Sequence, residues 1–187
     1  MISAILKQKS TAVKITVKSI ISFVLVVLAV GLPQIAHLAG GAAAGSVWLP
    51  MYAPALLAGC LLGWQWGLGV GILSPLASFA FTSLALGSAM PALSRLPYMV
   101  AELAVFGLVS GLFAKKIERS AVWAFPAVIA AQIAGRLVYF IAAVAFGQQA
   151  SAVWGVIESG LTGLYLQAAV VPVIVLLLSL AIKHDRD

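Results

Sequence analysis

From Ser19 to Ser94 the chain carries no Asp, Glu, Lys or Arg, and that gap constrains its fold more than any motif does. A soluble domain gives roughly 25% of its residues to charges. Here the share is 9%, against 63% hydrophobic residues and a mean hydropathy of +1.13. Such a chain has too little polar surface to face water, so it reads as an integral membrane protein. Lipid offers a backbone no hydrogen-bond partners, which leaves helices or closed barrels as spanning structures. Long apolar runs, instead of short alternating ones, select helices, so the expected fold class is all-α.

A helix needs about 20 apolar residues to cross roughly 30 Å of hydrocarbon. Charges and glycine/proline clusters divide this single transmembrane domain into six expected spans, near 17–38, 47–63, 67–86, 97–114, 121–146 and 159–182. Only Trp64, Gln65 and Trp66 separate the second from the third. The first apolar segment is too long for a cleavable signal peptide and lacks a small-x-small site clear of further spans. Six spans put both termini on one side of a six-helix bundle. Lys7, Lys9, Lys14, Lys18, Lys115, Lys116, Arg119, Lys183 and Arg186 fall on that side, and Arg95 alone lies in a loop on the other. By the positive-inside rule the termini are cytoplasmic, as expected of a multi-pass protein of the cell (inner) membrane. The stretches 39–46, 87–96 and 147–158 then form outer loops, and Trp64, Trp66 and Trp123 an inner aromatic belt. In this setting the net charge of +6 reports orientation and argues against a nucleic-acid partner.

Four charges interrupt the apolar bulk: Arg95, Glu102, Arg136 and Glu158. At about 1.5 Å per residue, Glu102 and Tyr52 each lie roughly 7 Å below the outer start of their spans, and Arg136 roughly 22 Å above the inner end of its own. Gln132, Arg136 and Tyr139 share one helical face, as do Ser74, Ser78 and Thr82, and Glu158, Thr162 and Tyr165. Gln34 and His37 are an i, i+3 pair at the outer end of the first span. An ionisable residue at the centre of a span costs about 2.5–3.5 kcal/mol and marks a ligand site or pathway, so polar groups at one outer level describe an outward cavity. Against that stands a purely structural reading, in which Glu102 and Arg136 neutralise each other, the hydroxyls bond their own helices and His37 is a solvated helix end.

Gly59-x-x-x-Gly63, Gly67-x-x-x-Gly71 and Gly107-x-x-x-Gly111 read as seams of close helix approach, and Pro50, Pro54 and Pro75 interrupt spans two and three. One cysteine, Cys60, permits no internal disulfide and reads as a small hydrophobe. Two histidines supply neither a bis-histidine haem nor a zinc triad, so no cofactor or metal is expected. There is no GxxxxGK[ST] with which the chain could itself use ATP. No HExxH occurs, and no serine has a His or Lys base at matching depth, so an intramembrane enzyme is not expected.

The string Leu49-Pro50-Met51-Tyr52-Ala53-Pro54-Ala55-Leu56-Leu57-Ala58-Gly59 is followed by Gly63, Gly67, Gly71 and Ser74-Pro75. Further on come Met90-Pro91, Leu96-Pro97-Tyr98-Met99, Glu102-Leu103, Gly107-Leu108-Val109-Ser110-Gly111 and Gly135-Arg136. Over roughly residues 20–180 this pattern resembles the S components of energy-coupling factor (ECF) vitamin transporters. The resemblance implies a six-helix subunit that captures a vitamin or related micronutrient from outside. It also implies docking on a coupling transmembrane subunit and two ATPase subunits, with toppling in the membrane to release substrate. Relatives commonly carry His where this chain has Tyr52, so a histidine-dependent contact is absent. The first span lacks a literal AxxxA docking motif, for which Ser19, Ser22 and Ala29 are the nearest substitutes.

The expected substrate-binding residues are Trp48, Tyr52, Thr82, Glu102, Arg136, Tyr139, Glu158 and Tyr165. Arg136 would meet a carboxylate or phosphate oxygen, Glu102 would orient it or accept from a ligand, and Trp48, Tyr52 and Tyr139 would stack on a ring. Loops 39–46 and 87–96 would fold over the ligand as a gate. The alternatives are a solitary S-component-like transporter without its own ATPase module, or a structural subunit of a larger membrane complex. Pantothenate-, pyridoxine-, cobalamin- and queuosine-like ligands all remain open.

Overall fold

In the computed structural model, residues 10–85, 87 and 90–184 are described, apart from the side chains of 39, 41–46, 183 and 184. Lys7, Lys9, Arg186, the Lys183 side chain and residues 88–89 of the expected outer loop lie outside the described residues. The elements are α1 (Thr11–Trp48), α2 (Tyr52–Leu62), α3 (Trp64–Ala85), α4 (Leu96–Leu112), α5 (Ala114–Arg119), a 3-10 turn (Ala121–Trp123), α6 (Ala124–Ala145), α7 (Ala150–Ser159) and α8 (Leu161–His184). The described chain is all-helical. Among the described residues, Thr11–Leu38, Trp64–Ala85, Ala121–Ala145 and Leu161–Ile182 are long and apolar enough to cross a membrane, so this is a membrane protein. The other two apolar helices are shorter: α2 has 11 residues and α4 has 17, roughly 16 and 25 Å at 1.5 Å per residue.

Several expected boundaries move. The first helix does not stop near Leu38 but runs through Gly40-Gly41 to Trp48, so the outer loop at 39–46 is helix. Each glycine costs about 1 kcal/mol in a helix, yet the Ala42-Ala43-Ala44 run that follows is made of the best helix former. The break falls instead at Leu49, which adopts φ +48° ahead of Pro50. Its carbonyl accepts the Tyr52 N–H at 3.1 Å and the Gln167 Nε2–H at 2.8 Å, which ties the break to α8. The second span is therefore shortened to Tyr52–Leu62. The separator of α2 from α3 is Gly63 at φ +98°, not the Trp64–Trp66 segment, which belongs to α3. Within the expected loop 147–158 lies α7.

Lipid tails are as apolar as leucine, so helix association in a membrane rests on close van der Waals approach and interhelical hydrogen bonds. The glycine seams supply the first. A Cβ on Gly67 would strike the Gly107 carbonyl, one on Gly71 the Leu103 carbonyl, and one on Gly111 the Trp64 backbone. At Gly59 it would come within 2.5 Å of the Gly107 carbonyl oxygen. Backbones of α2, α3 and α4 thus meet along one line, and these motifs pack as read except at Gly63, where nothing lies within 4 Å of a Cβ and the glycine serves the helix break instead. On its other side α4 packs against α6, where Gly135 accommodates the Phe106 ring. Helix α1 lies against α2, α3 and α8 and presents most of its surface outward.

At the end of the bundle carrying Lys18, Lys115 and Lys116, the Lys18 ammonium donates to the Leu62 carbonyl (3.2 Å), capping α2. The Lys116 ammonium sits 4.5 Å from the centre of the Trp123 ring. We expect Gly107→Val to destabilise the protein by at least about 3 kcal/mol, the upper end for overpacking, because backbone cannot yield as a side chain does. Gly69→Ala, with nothing within 4 Å of its Cβ, should be neutral or stabilising by up to about 1 kcal/mol. Thermal unfolding in detergent, with the two variants side by side, tests this pair.

Candidate functional site

The middle of α4 is buried, with Leu103 and Phe106 fully inaccessible, and it holds a carboxylate. Glu102 is fully buried. Arg136 arrives from the facing side of α6, one residue after the Gly135 contact that lets the two helices close. Arg136 Nη1 lies 3.0 Å from Glu102 Oε1. That approach lacks hydrogen-bond alignment, since Oε1 has no hydrogen-bond partner, and we read it as ionic contact. Glu102 Oε2 accepts the Tyr52 hydroxyl at 2.7 Å, which links α2 to the pair. The Arg136 guanidinium carbon lies 5.5 Å from the Tyr52 ring centre and 5.8 Å from that of Tyr139, within cation–π range. Tyr98 stacks edge-on against Tyr139 at 5.3 Å, fixing that ring. Three further consequences of burial remain visible: Arg136 Nε and Nη2 have neither partner nor water contact, although the residue as a whole is 9% exposed, and Gln34 Nε2 is in the same condition.

Above this cluster opens a cavity of about 550 Å³. Its walls come from Pro33, Gln34 and His37 of α1, from the break Leu49–Met51 with Tyr52, from Ser78 of α3, and from Met99 of α4. Arg136 and Tyr139 of α6 and Val156 of α7 complete them, and the connection carrying Met90, Pro91, Ala92, Ser94 and Arg95 closes one side. That connection is held by α3. The Ser78 hydroxyl donates to the Met90 carbonyl (3.0 Å), and Thr82 Oγ1 accepts the Met90 N–H (2.8 Å). Ser74, on the same face, bonds only its own helix, at the Val70 carbonyl.

Of the eight expected site residues, Tyr52, Glu102, Arg136 and Tyr139 come together. Tyr52, Arg136 and Tyr139 line the cavity, while Glu102 stands behind Arg136. Thr82 is buried one layer back, anchoring Met90. Trp48, Glu158 and Tyr165 stand outside the cavity. Trp48 ends α1 and is exposed, and Tyr165 is 71% exposed because α8 turns Gly163, Leu164 and Gln167 inward instead. Glu158 is exposed on α7, which Gly160 separates from α8, so it shares no continuous helical face with Thr162 and Tyr165. Gln34, Arg95 and the three lining methionines, Met51, Met90 and Met99, were not among the expected residues. Arg95 had a signal, as the lone outer-loop cation, and Gln34 had one in its spacing from His37. The methionines stand in the quoted motifs, but nothing in their chemistry marks them as wall residues.

Cys60 is fully buried in the α2 core, and among the described residues no three His, Cys, Asp or Glu side chains gather to hold a metal. Of the small residues named for a docking face on the first span, Ser19 is exposed, whereas Ala29 is fully buried against the core.

Removing one partner of a buried ion pair costs about 3–5 kcal/mol, because the survivor stays charged and unmatched. Glu102→Gln should therefore destabilise strongly, and the Glu102→Gln/Arg136→Gln double variant should recover much of the loss. Tyr52→Phe should cost about 1.5–3 kcal/mol, the worth of a hydrogen bond to a charged group. A double-mutant cycle on thermal unfolding gives all three, and additive single losses would show that the groups do not couple. Comparison with family models, with curated proteins and with solved structures returned no match.

Proposed function

We propose that the chain is the substrate-binding membrane subunit of an ECF-type uptake transporter. It captures a vitamin or related micronutrient from outside the cell, in the cavity beside Arg136, for ATP-driven import by a coupling subunit and two ATPase subunits. The observation that carries this reading is the cavity itself. Its volume of about 550 Å³ falls within the roughly 300–1,000 Å³ typical of small-molecule sites, and it combines apolar walls with a few convergent polar groups. The spaced motifs from Leu49 to Gly111 and Gly135-Arg136 add support through their resemblance to S components. On this reading the chain sits in the cell membrane as a six-span bundle with both termini cytoplasmic. Helices α2 and α4 are then its short central spans, and the cavity opens outward, opposite the lysine-rich end.

A second reading has one observation in its favour. Glu102 is fully buried behind the cavity wall, against Tyr52 and Arg136, as a purely structural ion pair in an assembly subunit would be.

Purification from native membranes separates the two. A small molecule released on denaturation at about one per chain, together with copurifying ATPase subunits, is the expected result. An empty cavity with a stoichiometric partner that is not an ATPase would favour the structural subunit. A bound small molecule with no partner at all would identify a solitary transporter.

A further inference from the structure

The polar chemistry lining the cavity is one-sided. Among its lining residues, the buried side-chain atoms without a partner are Arg136 Nε, Arg136 Nη2 and Gln34 Nε2, and every one of them is a donor. A buried donor left unpaired costs about 1–3 kcal/mol, more when charged, so whatever fills this cavity stabilises it by bringing acceptors. The arginine specifies which kind. Its Nη1 corner is taken by Glu102, and Nε with Nη2 forms the opposite edge of the guanidinium. That edge presents two parallel N–H groups at the spacing of two carboxylate oxygens.

Charge narrows the choice between acids. Glu102 offsets Arg136, which leaves Arg95 as the excess positive charge from Lys, Arg, Asp and Glu around the cavity. A monoanion balances that excess, whereas a phosphate dianion would carry a surplus charge into a low-dielectric site. Most of the remaining wall is apolar and polarisable, with Met51, Met90, Met99 and Tyr139 among its lining residues, and such walls suit an apolar body that carries a ring.

We propose, on the basis of the capture function argued above, that the cavity selects a monocarboxylate with an apolar, ring-bearing or branched body. The carboxylate seats on the Nε/Nη2 edge of Arg136, Gln34 donates to a second acceptor on the body, and Arg95 draws the anion to the mouth. Gly160 sets the clearance for this seat. A Cβ there would lie 2.7 Å from Arg136 Nη2 and 3.0 Å from Leu49 Cδ1, and Leu49 is itself a lining residue. Since both arginine nitrogens are shut off from water, seating the acid requires neighbouring side chains to move, and a side chain at position 160 would crowd Arg136 Nη2 further.

The test uses the full chain in lipid nanodiscs and acid/neutral pairs of matched shape: nicotinate with nicotinamide, biotin with biotinamide, and pantothenate with pantothenol. Pyridoxine and pyridoxal 5′-phosphate complete the panel, alongside mass spectrometry of any molecule released from the purified protein. The expected result is a carboxylic acid, either from the panel or released, whose neutral counterpart binds at least about tenfold more weakly, the equivalent of one charge-assisted hydrogen bond. Arg136→Lys keeps the charge but loses the paired edge, and should weaken that acid by about tenfold or more. Gly160→Ala should do the same, each variant being checked for a monodisperse fold. Arg95→Gln should slow association of the acid at low salt and lose its effect at high salt. Binding of a neutral or phosphorylated molecule in preference to its acid overturns the carboxylate assignment and leaves the capture function standing. So does an acid that Arg136→Lys and Gly160→Ala bind as the wild type does. A protein that releases nothing and binds no member of the panel overturns both.

Discussion

Where α3 crosses α4, Gly67 and Gly107 lie backbone against backbone, with Gly71, Gly111 and Gly59 extending the line. In lipid there is no hydrophobic gain from bringing two helices together, so contact has to come from surfaces close enough for dispersion to act. Glycine provides that by removing the side chain altogether. The consequence is positional: α4 sits in the middle of the bundle, with α2 and α3 on one side and α6 on the other. A residue on its α6 side, halfway along, is out of reach of both water and lipid. Glu102 occupies that place, and no carboxylate stays there without a partner. The glycine seam thereby makes Arg136 and Tyr52 necessary.

The irregular backbone follows a related constraint. Non-helical segments at membrane depth are tolerated where they are buried in protein or line a cavity, and both interruptions near the site do the latter. The break at Leu49–Met51 and the connection around Met90–Arg95 each contribute wall residues. Each is also satisfied by a side chain from a neighbouring helix, Gln167 for the first and Ser78 with Thr82 for the second. Ser78 and Thr82, which looked like candidate ligand contacts, thus hold the backbone that forms the wall, as does Gln167. Gln132 does comparable service between α6 and the Leu164 carbonyl of α8.

The all-helical class was legible because the charge-free stretch from Ser19 to Ser94 leaves few alternatives. The meeting of Glu102 and Arg136 was legible for a related reason: where charges are this scarce and this costly, two placed deep within spans have to pair, whereas Glu158 is exposed on α7 and needs no partner. What was not legible has a physical explanation. A soluble helix announces its buried face by apolar periodicity, but a helix in lipid is apolar all round. Nothing in the pattern therefore distinguishes Trp48 or Tyr165, which face outward, from Tyr139, which faces in. Helix ends were obscured for a different reason. Gly40-Gly41 looked like a stop, whereas the alanines beyond it carry α1 on to Leu49, and the only residue between α2 and α3 is Gly63.

The buried pair itself calls for an explanation that stability does not supply. Replacing a buried ion pair by packed apolar residues is often neutral or favourable by about 1–4 kcal/mol, so a chain under selection for stability alone has no reason to keep Glu102 and Arg136. Glu102 does, however, constrain Arg136 in a way an apolar neighbour cannot. By occupying the Nη1 corner, and by being held in turn by the Tyr52 hydroxyl, it restrains the position of the guanidinium and leaves its Nε/Nη2 edge unmatched. A side chain held this way has lost its rotational freedom before any ligand arrives, which lowers the entropic cost of binding. On the proposed reading, Tyr52, Glu102 and Arg136 form one device: Tyr52 holds Glu102, Glu102 from behind the wall holds Arg136, and Arg136 meets the incoming molecule.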